Sequence, residues 1–334
     1  PFEDKIVSVL RNTPAGFTSR HPPYLQLPLA LIIAMMFSDP LLAADFTTAL
    51  QLGAGNAASI SLDHKHVEVI GPAAALTVQG ADYSLRDTWL RNGAGPGVGV
   101  GGSGHLQAAG LDATTHGSGA PALRVDTQGR VQLSAASSLL TTDGRSPAAM
   151  VQDGELQVSD SSLHTLGVLS PGIEVGSNAL LHVERSQIET LEMTSAGIRE
   201  TSNGLAGLVR DSQIHTHQAE SAGVLVSGSS GTLTLSHTGV LTDAGSSTGV
   251  WAENGSHVVL DQGSTVHSRG DVADAVSASR NSSIEMSDGQ LFSEGARSAA
   301  ARAASGSSIT LLGSRALAVG PQAAGLIIED DARI

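Results

Sequence analysis

Aliphatic residues recur through most of this 334-residue chain at intervals of 25 or 26 positions. Taking the first aliphatic of each φ-x-φ triplet, the series runs Leu106, Val131, Leu156, Leu181, Leu233, Val258, Ile284, Ile309 and Ile334, with Gly207 at the midpoint of the one double-length gap. A second series follows seven or eight residues later: Leu163, Ile188, Ile214, Val240, Val266 and Leu291. A third lies 17 or 18 residues into the unit: Ile173, Ile198, Val224, Val250, Val276 and Leu326. It is often introduced by a small tripeptide, as in Ser195-Ala196-Gly197, Ser221-Ala222-Gly223 and Ser247-Thr248-Gly249. A fixed period of roughly 20–50 residues marks a repeat architecture, and it has to be found before any element is assigned.

Within each element the alternation has period two, as in Leu233-Thr234-Leu235 and Ile284-Glu285-Met286, so each reads as a short strand with one buried face. Gly, Ser, Asp and Asn lie between the elements and read as turn formers. Three short strands per unit wrap once around a three-sided prism, and successive turns stack about 4.8 Å apart. The sequence therefore predicts an all-β chain, a right-handed parallel β-helix. Leucine-rich and tetratricopeptide repeats share the period range, but their signatures and helical spacing are missing. The units from Leu106 to Ile334 predict a rod of about 40 Å.

Composition agrees with this. Hydrophobic residues make up 40% of the chain, too many for disorder, yet only 3% are aromatic and 39 residues are glycine. Such material suits repeated small-residue coils stabilised by their neighbours. There is no cysteine, which excludes disulfide scaffolds, cysteine-ligated zinc, iron–sulfur ligation and thiol catalysis. Eighteen basic against 32 acidic residues give a net charge of −14 with no basic run, which excludes nucleic acid as a partner.

The chain divides into three parts. Residues 1–44 read as a signal peptide: Lys5, Arg11, Arg20 and His21 precede an apolar run from Leu25 to Phe37, and Ala43-Ala44 follow. Glu3, Asp4 and Leu42 depart from the ideal pattern. A run of thirteen residues falls short of the roughly 20 a membrane-spanning helix needs. Residues 45–105 are less regular. Ile60-Ser61-Leu62, Val67-Glu68-Val69 and Leu76-Thr77-Val78 look strand-like, while Gly93 to Gly104 reads as a flexible surface loop. It is no phosphate loop, because no Gly-Lys-Ser/Thr ends it. The segment is expected to cap the open edge of the helix. Residues 106–334 are read as the β-helix; the sequence stops in mid-coil before any membrane β-barrel, as expected of either a fragment or a truncated product.

One ligand motif stands out: Arg269-Gly270-Asp271, between the second-series Val266 and the third-series Val276, hence on a turn. A carboxylate on such a turn can complete the shell of a receptor-held divalent cation, and the guanidinium can fork onto a receptor carboxylate. These three residues are the candidate receptor-binding site. No catalytic, metal-binding or cofactor-binding residue is assigned. His215 and His217 flank Thr216 and are read as outward-facing, and His164 and His267 hold comparable positions two coils away on either side. Two coils span about 10 Å, too far for one metal centre, so these are expected to be stacked surface histidines. Asp160, Arg185, Asp211 and His237 form an alternating-charge column at the first turn. A glycan-active enzyme would need clustered carboxylates, a cation and aromatic platforms. Here carboxylates are scattered, Lys65 is the one lysine past the leader, and Trp89 and Trp251 are the only tryptophans. The chain is therefore read as a non-enzyme.

The leader, the lack of cysteine, the small-residue coils and the Arg-Gly-Asp turn together resemble the pertactin-like passengers of type V autotransporter adhesins. The likeness is carried by Gly255-Ser256-His257-Val258-Val259-Leu260, Ser264-Thr265-Val266 and Arg269-Gly270-Asp271, with Asp160-Ser161-Ser162-Leu163 and Arg185-Ser186-Gln187-Ile188 similar in kind. The resemblance implies export through the periplasm and display at the outer membrane by a C-terminal β-barrel. It also implies adhesion to a host-cell receptor, an integrin if the tripeptide is the contact. Two departures matter: the missing barrel, and the short path from Asp271 to the next strand at Ala275-Val276, where the family has a long loop. A purely structural stalk and a glycan-active β-helix are the alternative readings.

Overall fold

The computed structural model describes residues 45–53, 55, 61–201, 206–228 and 231–334. The expected leader, residues 1–44, and Ile60 lie outside the described residues. Among the described residues there is no helix, and the strands form three parallel sheets of ten, eleven and twelve members. The chain visits the sheets in rotation. One coil runs through Thr232–Ser236, Gly239–Thr242 and Val250–Ala252, and His257–Asp261 then returns beside the first of these. This is the expected parallel β-helix with three strands per coil.

All three aliphatic series are vertical columns. On the first face Leu106, Val131, Leu156, Leu181, Gly207, Leu233, Val258, Ile284 and Ile309 are successive register partners, so the glycine at the double gap holds its place in the stack. Arg333 bridges to Ser308 and carries the ladder to Ile334. On the second face the column is Leu163, Ile188, Ile214, Val240, Val266 and Leu291, and on the third Ile173, Ile198, Val224, Val250 and Val276. These side chains are buried in one continuous core. The third series then continues through Ala301 to Leu326, which stands half exposed on the outermost strand of its sheet.

Serine and threonine do more than form turns. At the corner between the second and third faces the Ser195 amide donates to Ser221 Oγ and the Ser221 amide to Ser247 Oγ, both at 3.1 Å. Beside them the Thr165, Thr190, Thr216 and Thr242 hydroxyls donate to the carbonyl five residues on, at 2.6–2.7 Å. These threonines face inward and are fully buried, and their hydroxyls are satisfied by the backbone of their own corner. A similar ladder of Ser161, Ser186 and Ser212 runs down the corner between the first and second faces.

The segment 45–105 corrects the expectation of an irregular cap with a flexible loop. Val98–Gly101, within the glycine-rich stretch, is a strand of the third sheet, with Val98 and Val100 buried and paired to Leu76 and Val78. His66–Val69 and Leu76–Gln79 are strands, whereas Ser61 and Leu62 are not, although Leu62 is buried. The coils simply start earlier and are shorter. Val98 follows its partner Leu76 by 22 residues and Leu106 follows Tyr83 by 23, which breaks the count of 25.

The glycine that opens the third face is fixed by close approach. A Cβ on Gly197 would overlap Ile214 Cγ2 and stand 2.6 Å from the Gly223 carbonyl oxygen, so the backbone of the next coil occupies the space of a methyl group. Gly197→Ala is expected to destabilise the chain by about 2–4 kcal/mol, in the range of core overpacking with backbone shift. Urea unfolding followed by circular dichroism checks this; a loss below about 0.5 kcal/mol, the usual surface value, would contradict the packing.

Candidate functional site

Where strand alternation turns one residue into the core, its neighbour faces out, and in-register stacking makes the outward residues into columns too. On the second face one outer column reads His164, Glu189, His215, Leu241 and His267. Two residues on, the backbone ladder continues past the strand ends through the amides of Leu191, His217, Asp243, Arg269 and Glu294. The two columns lie side by side, and their titratable groups meet.

Glu189 is at the centre of this cluster. Its Oε1 lies 2.7 Å from His217 Nε2 and its Oε2 lies 3.3 Å from His164 Nδ1. Asp243 Oδ2 lies 2.7 Å from His215 Nε2 and 3.2 Å from His217 Nδ1, and its Oδ1 accepts a hydrogen bond from Arg269 Nη1 at 2.8 Å. The His215 and His217 rings stack with centroids 3.8 Å apart. Glu189 is only 5% exposed and His164 only 3%. A carboxylate this deep stays ionised only if cations compensate it.

The electrostatics follow from that burial. Burial opposes the charge on Glu189, but the His164 and His217 contacts outweigh it and hold the carboxyl well below the usual carboxylate range. Asp243 is depressed in the same way, burial being overcome by His215 and His217. Burial disfavours the imidazolium of His217, yet its bonds to Asp243 and Glu189 win and push it up to about 9. His267 is different. Burial keeps it below its ordinary value despite Glu294, with Arg269 adding to the effect.

The stacked surface histidines of the sequence reading are thus corrected in one respect. His164 and His215 are two coils apart as expected, but the coil between them places Glu189 in the gap; His164 and Glu189 are buried, and His215 and His217 are partly exposed. His267 is not part of it; Leu241 separates it from His215, and it packs on Phe292 with ring centroids 4.7 Å apart. Glu189 and Asp243 fall outside a pattern made of histidines alone. The signal was present, since Glu189 follows His164 by 25 residues and precedes His215 by 26.

The receptor-binding candidates Arg269, Gly270 and Asp271 sit at the end of the same face. Arg269 is bound to Asp243, and Asp271 Oδ1 accepts the Ala296 amide of the next coil at 2.7 Å, with Asp271 itself exposed. Gly270 is buried, and a Cβ there would overlap the Ala244 carbonyl. Val272 follows with φ of 55°, in the left-handed region. The tripeptide therefore lies flat along the coil, and both charged ends already have partners. The first-turn column behaves as expected: Arg185 grips Asp160 through Nε and Nη2 at 2.8 and 2.9 Å, and His237 Nδ1 lies 2.6 Å from Asp211 Oδ1.

No family model, curated protein or solved structure matches the chain. The geometry alone supports a parallel solenoid with one polar cluster set into its second face.

A β-branched residue is a poor occupant of the left-handed region, where asparagine is tolerated. Val272 is also half exposed, so little packing is lost on replacement. Val272→Asn should stabilise the chain by about 1 kcal/mol. Thermal unfolding checks it, and a lower Tm would contradict the turn geometry.

Proposed function

We propose that the chain is the stalk of a surface-displayed adhesin of the autotransporter-passenger type, in which the solenoid itself is the functional element. One observation carries the reading: the coils stack in register from Leu50 to Leu326 without interruption of the core among the described residues. Each coil is held by its neighbours, so the stalk can be as long as its number of coils requires. It needs no covalent cross-links, and the chain has no cysteine to make any. That suits a polypeptide that has to cross membranes extended and fold afterwards. The basic and apolar pattern of residues 1–44 supports export.

Under this reading the Arg-Gly-Asp turn serves the stack. Binding a receptor would require Arg269 to leave Asp243 and Asp271 to release the Ala296 amide. The alternative, a receptor contact through these residues, rests on the tripeptide and its exposed aspartate.

Attachment of integrin-bearing cells to surfaces coated with the purified chain separates the two. A stalk predicts equal attachment to wild type and Asp271→Glu, with no dependence on divalent cations. Cation-dependent attachment that Asp271→Glu abolishes would overturn the stalk reading and assign the contact to the turn.

A further inference from the structure

We propose that Glu189, His215 and His217 form a binding site for a single divalent transition-metal ion of the zinc class, set into the outer surface of the second face. One ligand atom from each of the three residues lies within 4.8 Å of the others. Ligands about 2.1 Å from a tetrahedral ion are separated by about 3.4 Å, so side-chain adjustment alone brings the three into place. Two imidazoles and one carboxylate are a donor set for Zn²⁺ and its first-row neighbours, and too poor in oxygen for Ca²⁺. Three protein ligands leave a coordination position open.

The surroundings are those of a metal centre. Metal-bound histidines commonly give their other ring N–H to a carboxylate, and Asp243 Oδ2 stands 2.7 Å from His215 and 3.2 Å from His217. Arg269 in turn holds the other oxygen of Asp243. Independently of the triad, His164 points into the cluster from the coil below. It is 97% buried, and its Nδ1 has no hydrogen-bond partner, lying 3.3 Å from Glu189 Oε2 without the alignment of a hydrogen bond. The nitrogen already meets Glu189 as an ion pair, and realignment of Glu189 on a cation, or direct coordination, would complete its bonding. The framework is rigid, because Glu189 and His215 are register partners on adjacent coils and His217 follows one residue past the same strand. The ion would therefore fasten two successive coils together on their outer side, where the core contributes nothing.

The test uses the full chain, freed of metal with a chelator and titrated with Zn²⁺ and Co²⁺. One equivalent should bind at micromolar concentration or below. The Co²⁺ form should show the visible absorption of a four- or five-coordinate nitrogen–oxygen site, and saturating Zn²⁺ should raise the Tm. His215→Ala with His217→Ala should weaken binding at least 100-fold and abolish the Tm rise, while His237→Ala, on a different corner, should leave both unchanged. Should the double variant not fold, the wild-type Co²⁺ spectrum and stoichiometry decide. Only millimolar binding, an octahedral aquo-like Co²⁺ spectrum, or affinity that survives the double substitution would overturn the site.

Discussion

Parallel hydrogen bonding between each coil and the next, at constant register, is the constraint on which the rest of the molecule depends. A single coil has too little apolar surface to fold alone, and its strands would present unpaired edges. Once two coils pair in register, Leu233 meets Val258, the Ser221 amide finds Ser247 Oγ, and the Thr216 hydroxyl sits above its own corner carbonyl. The aliphatic core and the polar ladders are therefore one cooperative arrangement. A slip of one residue would expel every aliphatic side chain and bury its polar neighbour.

The same rule builds the chemistry of the outer surface. Stacking converts sequence distances of 25 or 26 into neighbouring coils, so residues scattered along the chain become a compact group. Glu189, His215, His217, Asp243 and Arg269 come from four successive coils, and their charges balance through contacts of 2.7 to 3.2 Å. The first-turn column of Asp160, Arg185, Asp211 and His237 obeys the same logic at the surface. What distinguishes the two is depth: the central cluster is built around the buried Glu189, where lower solvation strengthens each interaction and shifts protonation equilibria.

Where coils are about 25 residues long and their inward positions are Leu, Ile or Val, the fold was legible, even across Gly207. It faded where that pattern did. Alanine at 301 hid one rung of the third column, and coils of 22 and 23 residues with glycines at strand positions disguised Val98–Gly101 as a loop. Serine misled in another way: it reads as a turn former, whereas Ser195 and Ser221 are buried parts of a corner ladder. For the polar cluster, the histidines were visible but the carboxylates between them were not, because mixed columns carry no repeat of residue type. The Arg-Gly-Asp motif was plain in the sequence, while its ties to Asp243 and Ala296 depend on adjacent coils.

Register can be measured directly because the chain has no cysteine of its own. Gln132 and Gln157 are outward-facing register partners on the first face, joined by a side-chain hydrogen bond at 3.1 Å. In-register partners on adjacent strands have Cα atoms about 4.8 Å apart, within disulfide range, whereas a partner two residues further along is about 8 Å away and outside it. The account predicts that Gln132→Cys with Gln157→Cys forms a disulfide on mild oxidation, while Gln132→Cys with Ser159→Cys does not. Cross-linking of the second pair in preference to the first would contradict the stacking from which the rest is derived.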